Sequence, residues 1–427
     1  MLQASIFKEK RKLNVCFDVP VPRIVCQSAE FVQITDQFRR EGQFDFQTNE
    51  NGDMVALSCD LDRSQGFMKQ VMPAQNSSHQ MQIFEEVLKH DSSQDCGHGL
   101  QINFHQNSFD TSERYWNFIL AQGNFIEYFF NRLNWYLCPK NRIVTPFPLH
   151  VDLESANTCN MNCPMCYRGG MKDLGHMDMD LFRKAVDECS ANSVYSIRLS
   201  WRGEALTHPK IKEMIRYATG KIKNVSFLTN AFYISSDMID CFIENQVSYI
   251  AVSFDGIGKI YESIRYPAKF QESYRKLALL KSQKKKANTK LPQVRLCTIW
   301  PAIKDNPNDY YDTMKDVSDY IVCNPYINFR GRMVIKEDFI CQYPWERIVI
   351  AYNGMTQCCT GWDADDIILG NIMNTTIREM WYSDLMQKIR MIHSKGRRME
   401  LNSCAKCRHG SMGDPNINIT DILERKF

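Results

Sequence analysis

The sequence predicts an α/β protein: a parallel sheet of strand–helix repeats, preceded by an α+β segment and followed by a cysteine-bearing extension. Three observations predict it. From Pro146 to about residue 326, short β-branched runs alternate with helical patterns, which is how a parallel sheet with crossover helices reads. The first of these runs leads into a loop carrying Cys159, Cys163 and Cys166. Beyond Tyr326 the alternation stops, and further cysteines appear at 341, 358, 359, 404 and 407. The expected division is 1–147, 148–326 and 327–427.

Residues 1–147 suggest an α+β domain for substrate or partner binding, with candidate strands at 14–19, 31–34 and 54–58 between polar, turn-rich pieces. An aromatic block follows, including Tyr115, Trp116, Phe118, Tyr128, Trp135 and Tyr136. Its three- and four-residue spacings predict helices with one buried face. A core stripe is the simpler account of it, and a pocket lining the rarer one.

In the middle segment, strands are expected at 149–153, 195–200, 225–229, 247–254, 294–299 and 320–323. The helices between them are expected at 177–190, 209–217, 237–245, from about 268, and at 309–317. The long helix ends in Lys284-Lys285-Lys286, read as a solvated end that complements the helix dipole. After the sheet, Arg347–Ala351 and Tyr352-Asn353-Gly354 predict a hairpin that returns into Cys358-Cys359.

Composition narrows the function classes. Hydrophobic residues are 44%, charged residues 24% and the formal net charge +3, a globular balance with no case for nucleic-acid binding. No apolar run reaches the roughly 18 residues of a membrane span. The charged start, Met1–Lys12, lacks the apolar core of a secretory signal. The 17 cysteines therefore read as reduced thiols and metal ligands, and the expected location is cytoplasmic.

Cysteine thiolates hold iron–sulfur clusters, and three of them leave one iron of a four-iron cluster open. Zinc is the competing reading, although structural zinc sites close with four ligands and His150 and His176 fit no zinc spacing. The loop Cys159-x3-Cys163-x2-Cys166 resembles the signature of the radical SAM superfamily. That resemblance implies a partial, open (β/α)6 barrel and a 4Fe-4S cluster whose open iron binds S-adenosylmethionine. Reduction then cleaves S-adenosylmethionine to a 5′-deoxyadenosyl radical that abstracts hydrogen from an unactivated C–H bond. Flavodoxin or ferredoxin is the implied electron donor.

Other pieces carry the resemblance further. Ser200-Trp201-Arg202-Gly203-Glu204 resembles the family's Gly-Gly-Glu motif, with Arg202 in place of the first glycine. It implies that Gly203 and Glu204 meet the methionyl amino group, a carboxylate being suited to an ammonium. Thr229-Asn230 matches Thr-Asn-Gly, with Ala231 at the glycine. Ser253, Asp255 and Arg265 match segments that help bind the methionine carboxylate, for which Arg is well shaped. Met165, before the third cysteine, occupies the position near the adenine.

The extension resembles the SPASM domain or its shortened twitch form. Gly354 and Cys359 fit Gly-x4-Cys, with Cys358 the alternate, and the implied ligands of a second, auxiliary cluster are Cys341, Cys359, Cys404 and Cys407. Zinc held by the same four thiolates competes. A cluster with four protein ligands has no open iron, so it would accept an electron. The expected reaction is thus oxidation, or epimerisation with Cys297 or Cys323 returning a hydrogen. The expected substrate is a small polar metabolite or sugar-like intermediate. The alternative is a ribosomally made peptide, and a catalytically silent scaffold is a third reading. Peptide maturases often carry a winged-helix leader-binding module at the amino end, which residues 1–147 do not suggest.

Overall fold

The computed structural model describes residues 3–9, 12–21, 44–48, 50, 54–60, 100–103, 107–123, 125–166, 168, 171, 173–327, 335–361 and 366–409. They fall into two compact units, Met1–Pro146 and Phe147–Phe427.

In the first unit, β1 (Gln3–Glu9), β2 (Lys12–Val21), β3 (Phe44–Thr48), β4 (Met54–Asp60) and β5 (Leu100–Asn103) form an antiparallel sheet in the order β3-β4-β2-β1-β5. Helices α1 (Ser112–Leu120) and α2 (Phe125–Asn141) follow. Thr111 caps α1 by accepting the Arg114 N–H. Tyr115, Trp116 and Phe118 are buried, so these aromatic residues are core. The candidate strand at 31–34 lies outside the described residues.

The second unit begins with β6 (His150–Leu153), α3 (Met179–Ala191), β7 (Ser196–Arg198), α4 (Ile211–Thr219), β8 (Asn224–Thr229), α5 (Ser236–Glu244) and β9 (Tyr249–Ser253). It continues through α6 (Gly258–Ile264), α7 (Phe270–Lys286), β10 (Gln293–Ile299), α8 (Pro307–Met314) and β11 (Tyr320–Asn324). Strands β6 to β11 lie side by side in chain order, all parallel. β6 and β11 do not pair with each other, so the barrel stays open. Near-continuous apolar runs make these strands suitable for burial on both faces; Val225, Phe227, Ile250 and Val252 are fully or almost fully buried. On α3 the predicted face, Leu181, Phe182, Ala185, Val186 and Cys189, is the buried one.

The helix-end lysines differ from expectation in one respect. Lys284 is buried and paired with Asp319 at 2.6 Å. That carboxylate also accepts the Val294 N–H, so Lys284 ties α7 to the start of β10 instead of projecting into water.

The extension adds α9 (Tyr343–Glu346), β12 (Arg347–Ile350), β13 (Met355–Gln357), β14 (Ile368–Asn371), α10 (Ile377–Tyr382), α11 (Asp384–Ser394) and α12 (Asn402–Lys406). β12 pairs in parallel with β6, and β13 and β14 continue outward. The extension thus lengthens the barrel sheet at its open edge. Buried charge fastens the seam: the Asp152 carboxylate lies 3.0 Å from His150, 2.8 Å from Arg198 and 3.2 Å from Arg347. A charge so placed needs such partners. Between β12 and β13 the Gly354 N–H donates to Ala351 C=O at 2.9 Å. Gly354 sits at φ +84, a left-handed conformation that favours glycine.

Candidate active site

The cysteine loop leaves the carboxyl end of β6, where active sites of parallel α/β sheets gather. Its backbone is held from several sides. The Asn157 side chain accepts the Gly175 N–H at 2.7 Å and donates to Asp173 C=O at 2.8 Å. The Asn162 N–H donates to Tyr266 C=O at 2.9 Å. Cys163 is buried and Cys159 and Cys166 are half-buried. All three line a cavity of about 310 Å³ that also takes in the other predicted residues Met165, Gly203, Glu204, Asn230, Ser253 and Arg265. Asp255 is not part of that lining; it is buried and paired with Arg265, which is. Burial pushes the Cys163 thiol up to about 11, with the Arg265 guanidinium pulling the other way.

Glu204 is buried. One carboxylate oxygen accepts the Leu206 N–H at 3.2 Å and the Thr229 hydroxyl at 2.7 Å, and the other accepts the Asn230 N–H at 2.7 Å. Burial nevertheless raises its pKa to about 7, because the hydrogen bonds only partly replace water. The Asn230 amide donates to Asn160 Oδ1 at 2.9 Å and reaches Cys159 Sγ at 3.8 Å. Arg265 Nη1 lies 3.6 Å from Cys163 Sγ. Ala231, in the place of the motif's glycine, has φ +64; this position is left-handed, which is why a glycine suits it.

The motif's departure at Arg202 has a structural counterpart in Glu154, which the sequence reading missed. Glu154 follows β6 and is fully buried. It accepts Arg202 Nε at 2.7 Å and Nη2 at 2.6 Å, the Arg202 backbone N–H at 3.3 Å, and the Tyr352 N–H at 3.2 Å. The guanidinium also stacks on Trp201, 3.9 Å from the ring centroid. The next residue, Gly203, meets the cysteine loop so closely that a Cβ would stand 2.5 Å from the Ala156 carbonyl oxygen and the Asn157 backbone.

In the extension, a second cavity of about 280 Å³ is lined by Cys341, Cys358, Cys359, Cys404 and Cys407. The Cys358 thiol donates to the Cys359 sulfur, which holds Cys359 below the ordinary thiol range and Cys358 well above it. Cys359 Sγ also accepts the Gly361 N–H at 3.2 Å. His393, another residue the sequence reading missed, accepts the Cys341 N–H at Nδ1, 3.4 Å, which leaves Nε2 as donor to Cys404 Sγ at 3.4 Å. Arg398 closes the turn by donating to the carbonyls of Cys404 and Cys407, each at 2.6 Å.

Each donor set is a group of thiols lining one cavity, the donor chemistry that an iron–sulfur cluster takes. Among the described residues no three His, Cys, Asp or Glu side chains converge as one metal ion would require. A cluster makes no such demand, since each thiolate binds a different iron. Residues 153–317 match the model of the radical SAM superfamily, and residues 341–408 match the iron–sulfur cluster-binding domain, SPASM.

This chain belongs to the radical SAM superfamily.

It is a radical SAM enzyme with a carboxyl-terminal SPASM domain, and its cofactors are a 4Fe-4S cluster, S-adenosylmethionine and auxiliary iron–sulfur chemistry. Over 123 residues it is 28% identical to the antilisterial bacteriocin subtilosin biosynthesis protein AlbA of Bacillus subtilis (strain 168), covering 28% of this chain and 27% of that one. The chain spans under a third of the length of the curated relatives it matches. Among solved structures, BtrN in complex with AdoMet and 2-DOIA is similar at 17% identity and TM-score 0.45, covering 63% of this chain and 96% of that one. Streptococcus suis SuiB bound to precursor peptide SuiA is similar at 12% identity and TM-score 0.47, covering 78% and 84%. Among the described residues no helix is long and apolar enough to cross a membrane.

Proposed function

We propose that this radical SAM enzyme oxidises its substrate at an unactivated C–H bond by two electrons. Bound at their sites, S-adenosylmethionine and the open cluster supply hydrogen abstraction, and the auxiliary cluster supplies an electron sink. Cys159, Cys163 and Cys166 would hold the first cluster. Glu204 would accept from the methionyl amino group, Arg265 and Ser253 would meet the carboxylate, and Met165 would lie near the adenine. Cys341, Cys359, Cys404 and Cys407 would hold the second cluster, leaving Cys358 as a thiol that donates to Cys359. The observation that carries oxidation over redox-neutral chemistry is this closed thiol set, with four candidate ligands around one cavity. Flavodoxin or ferredoxin would deliver the initiating electron.

Two substrate classes have support. A ribosomally made peptide is supported by the relative named for bacteriocin biosynthesis. A small polar metabolite is the class the sequence favours, since residues 1–147 carry no legible winged-helix leader-binding pattern. Co-expression with a short peptide encoded beside the gene tests the choice. A peptide lighter by two hydrogens is expected for the first class, and an unaltered peptide rejects it. Oxidation itself would be rejected by a substrate that consumes S-adenosylmethionine yet returns with its mass unchanged.

A further inference from the structure

We propose that Trp201 couples the S-adenosylmethionine cavity to the auxiliary cluster through a single peptide group. The inference rests on Cys359 being a ligand of that cluster. The Trp201 indole N–H donates to Thr360 C=O at 3.0 Å. The N–H of the same peptide group belongs to Gly361, and it donates to Cys359 Sγ at 3.2 Å. A peptide is planar and trans, so its C=O and N–H point opposite ways and turn together. Whatever fixes the Thr360 carbonyl therefore aims the Gly361 N–H at the sulfur.

The neighbouring carbonyls are fixed from within the extension. Gln357 Nε2 donates to Cys359 C=O at 2.7 Å and to Gly361 C=O at 2.6 Å. The carbonyl between them is held from the barrel, by Trp201. Gly361 lacks the Cβ that would otherwise stand 3.2 Å from the Cys359 sulfur. At the other end Trp201 lines the cavity that holds the cysteine loop. Its ring is braced by Arg202, itself bidentate on Glu154.

Hydrogen bonds to cluster sulfurs are among the factors that set reduction potential, and a peptide whose carbonyl accepts a bond donates more strongly through its N–H. A ligand that displaces Trp201 in the cavity therefore changes the bond to Cys359. By linkage, the auxiliary redox state changes affinity in the cavity.

The test is a redox titration of the full chain with Cys159, Cys163 and Cys166 changed to Ala, so that the auxiliary cluster is read alone. In that background Trp201→Phe keeps a ring under Arg202 and removes the donor. At fixed potential, the oxidised-to-reduced ratio should rise about tenfold, a fall in midpoint of about 59 mV for a one-electron couple, with iron content unchanged. A midpoint equal to that of the parent overturns the coupling and leaves the ligand assignment standing. A parent protein without iron overturns the ligand assignment and the coupling with it. A second measurement needs no substitution at Trp201. In the protein with both clusters, adding S-adenosylmethionine should move the auxiliary midpoint, and a midpoint that does not move overturns the coupling.

Discussion

Arg202 and Glu154 form a bidentate ion pair, 2.7 and 2.6 Å, at the point where the radical SAM motif has its first glycine. The carboxylate is fully buried and also accepts the Tyr352 N–H of the SPASM hairpin. Removing the guanidinium leaves a buried anion without its counter-ion, which costs about 3 kcal/mol or more. Arg202→Gly, which restores the motif, should therefore lower the unfolding free energy by about that amount in a urea titration. Arg202→Gly with Glu154→Gln should recover part of the loss. A change below about 1 kcal/mol in the single variant, the level of exposed pairs, would mean that the pair is dispensable.

Gly203 allows the motif to lie against the cysteine loop. In Gly203→Ala the new methyl meets backbone at 2.5 Å, and backbone cannot rotate away as a side chain can. The loop must shift, and the protein should lose about four irons, one cluster's worth, from about eight after anaerobic reconstitution. The remaining iron should be that of the SPASM domain. Full iron content in a folded Gly203→Ala protein would show that the loop tolerates the displacement.

Glu204 sets a pH dependence. Its pKa is raised to about 7 by burial, so below pH 7 the empty site holds a neutral carboxyl. The methionyl amino group donates N–H bonds that favour the ionised form, so binding lowers this pKa and releases a proton. The affinity for S-adenosylmethionine should rise with pH through about 7, by up to about tenfold per unit on the acid side, and level off above. Equilibrium binding at pH 6 to 8 measures this, and Glu204→Gln should remove the contribution. An equally steep profile in Glu204→Gln would assign the titration elsewhere.

The parts legible in the sequence were those with a local signal. The barrel strands lie within two residues of their predicted ends, because apolar runs bounded by turns define them locally. The cysteine loop, Gly203-Glu204, Asn230 and Arg265 line one cavity because each follows its own strand in a parallel sheet. What could not be read were pairings with no local trace. Glu154 meets Tyr352, Trp201 meets Thr360, and Arg347 pairs with Asp152 across the β6–β12 seam. Lys284 sits in a lysine run that looks solvated, and only Asp319, reached by folding, draws it inward. The strands β1, β3 and β5 are not among the predicted ones: Phe44–Thr48 and Leu100–Asn103 alternate apolar and polar residues over only five and four positions, and in Gln3–Glu9 the adjacent Ile6 and Phe7 break the alternation.

The proposed oxidation is tested most directly by removing Cys404 and Cys407, both at the auxiliary cavity. A folded Cys404→Ala/Cys407→Ala protein should keep the iron held by Cys159, Cys163 and Cys166, and with substrate it should still release 5′-deoxyadenosine. It should make little or no oxidised product, because the substrate radical then lacks an acceptor for its second electron. A melting curve and an iron count must accompany the assay, since a cluster joining distant segments also contributes folding free energy. Full yield of oxidised product from a folded variant lacking the auxiliary iron would contradict the electron-acceptor role.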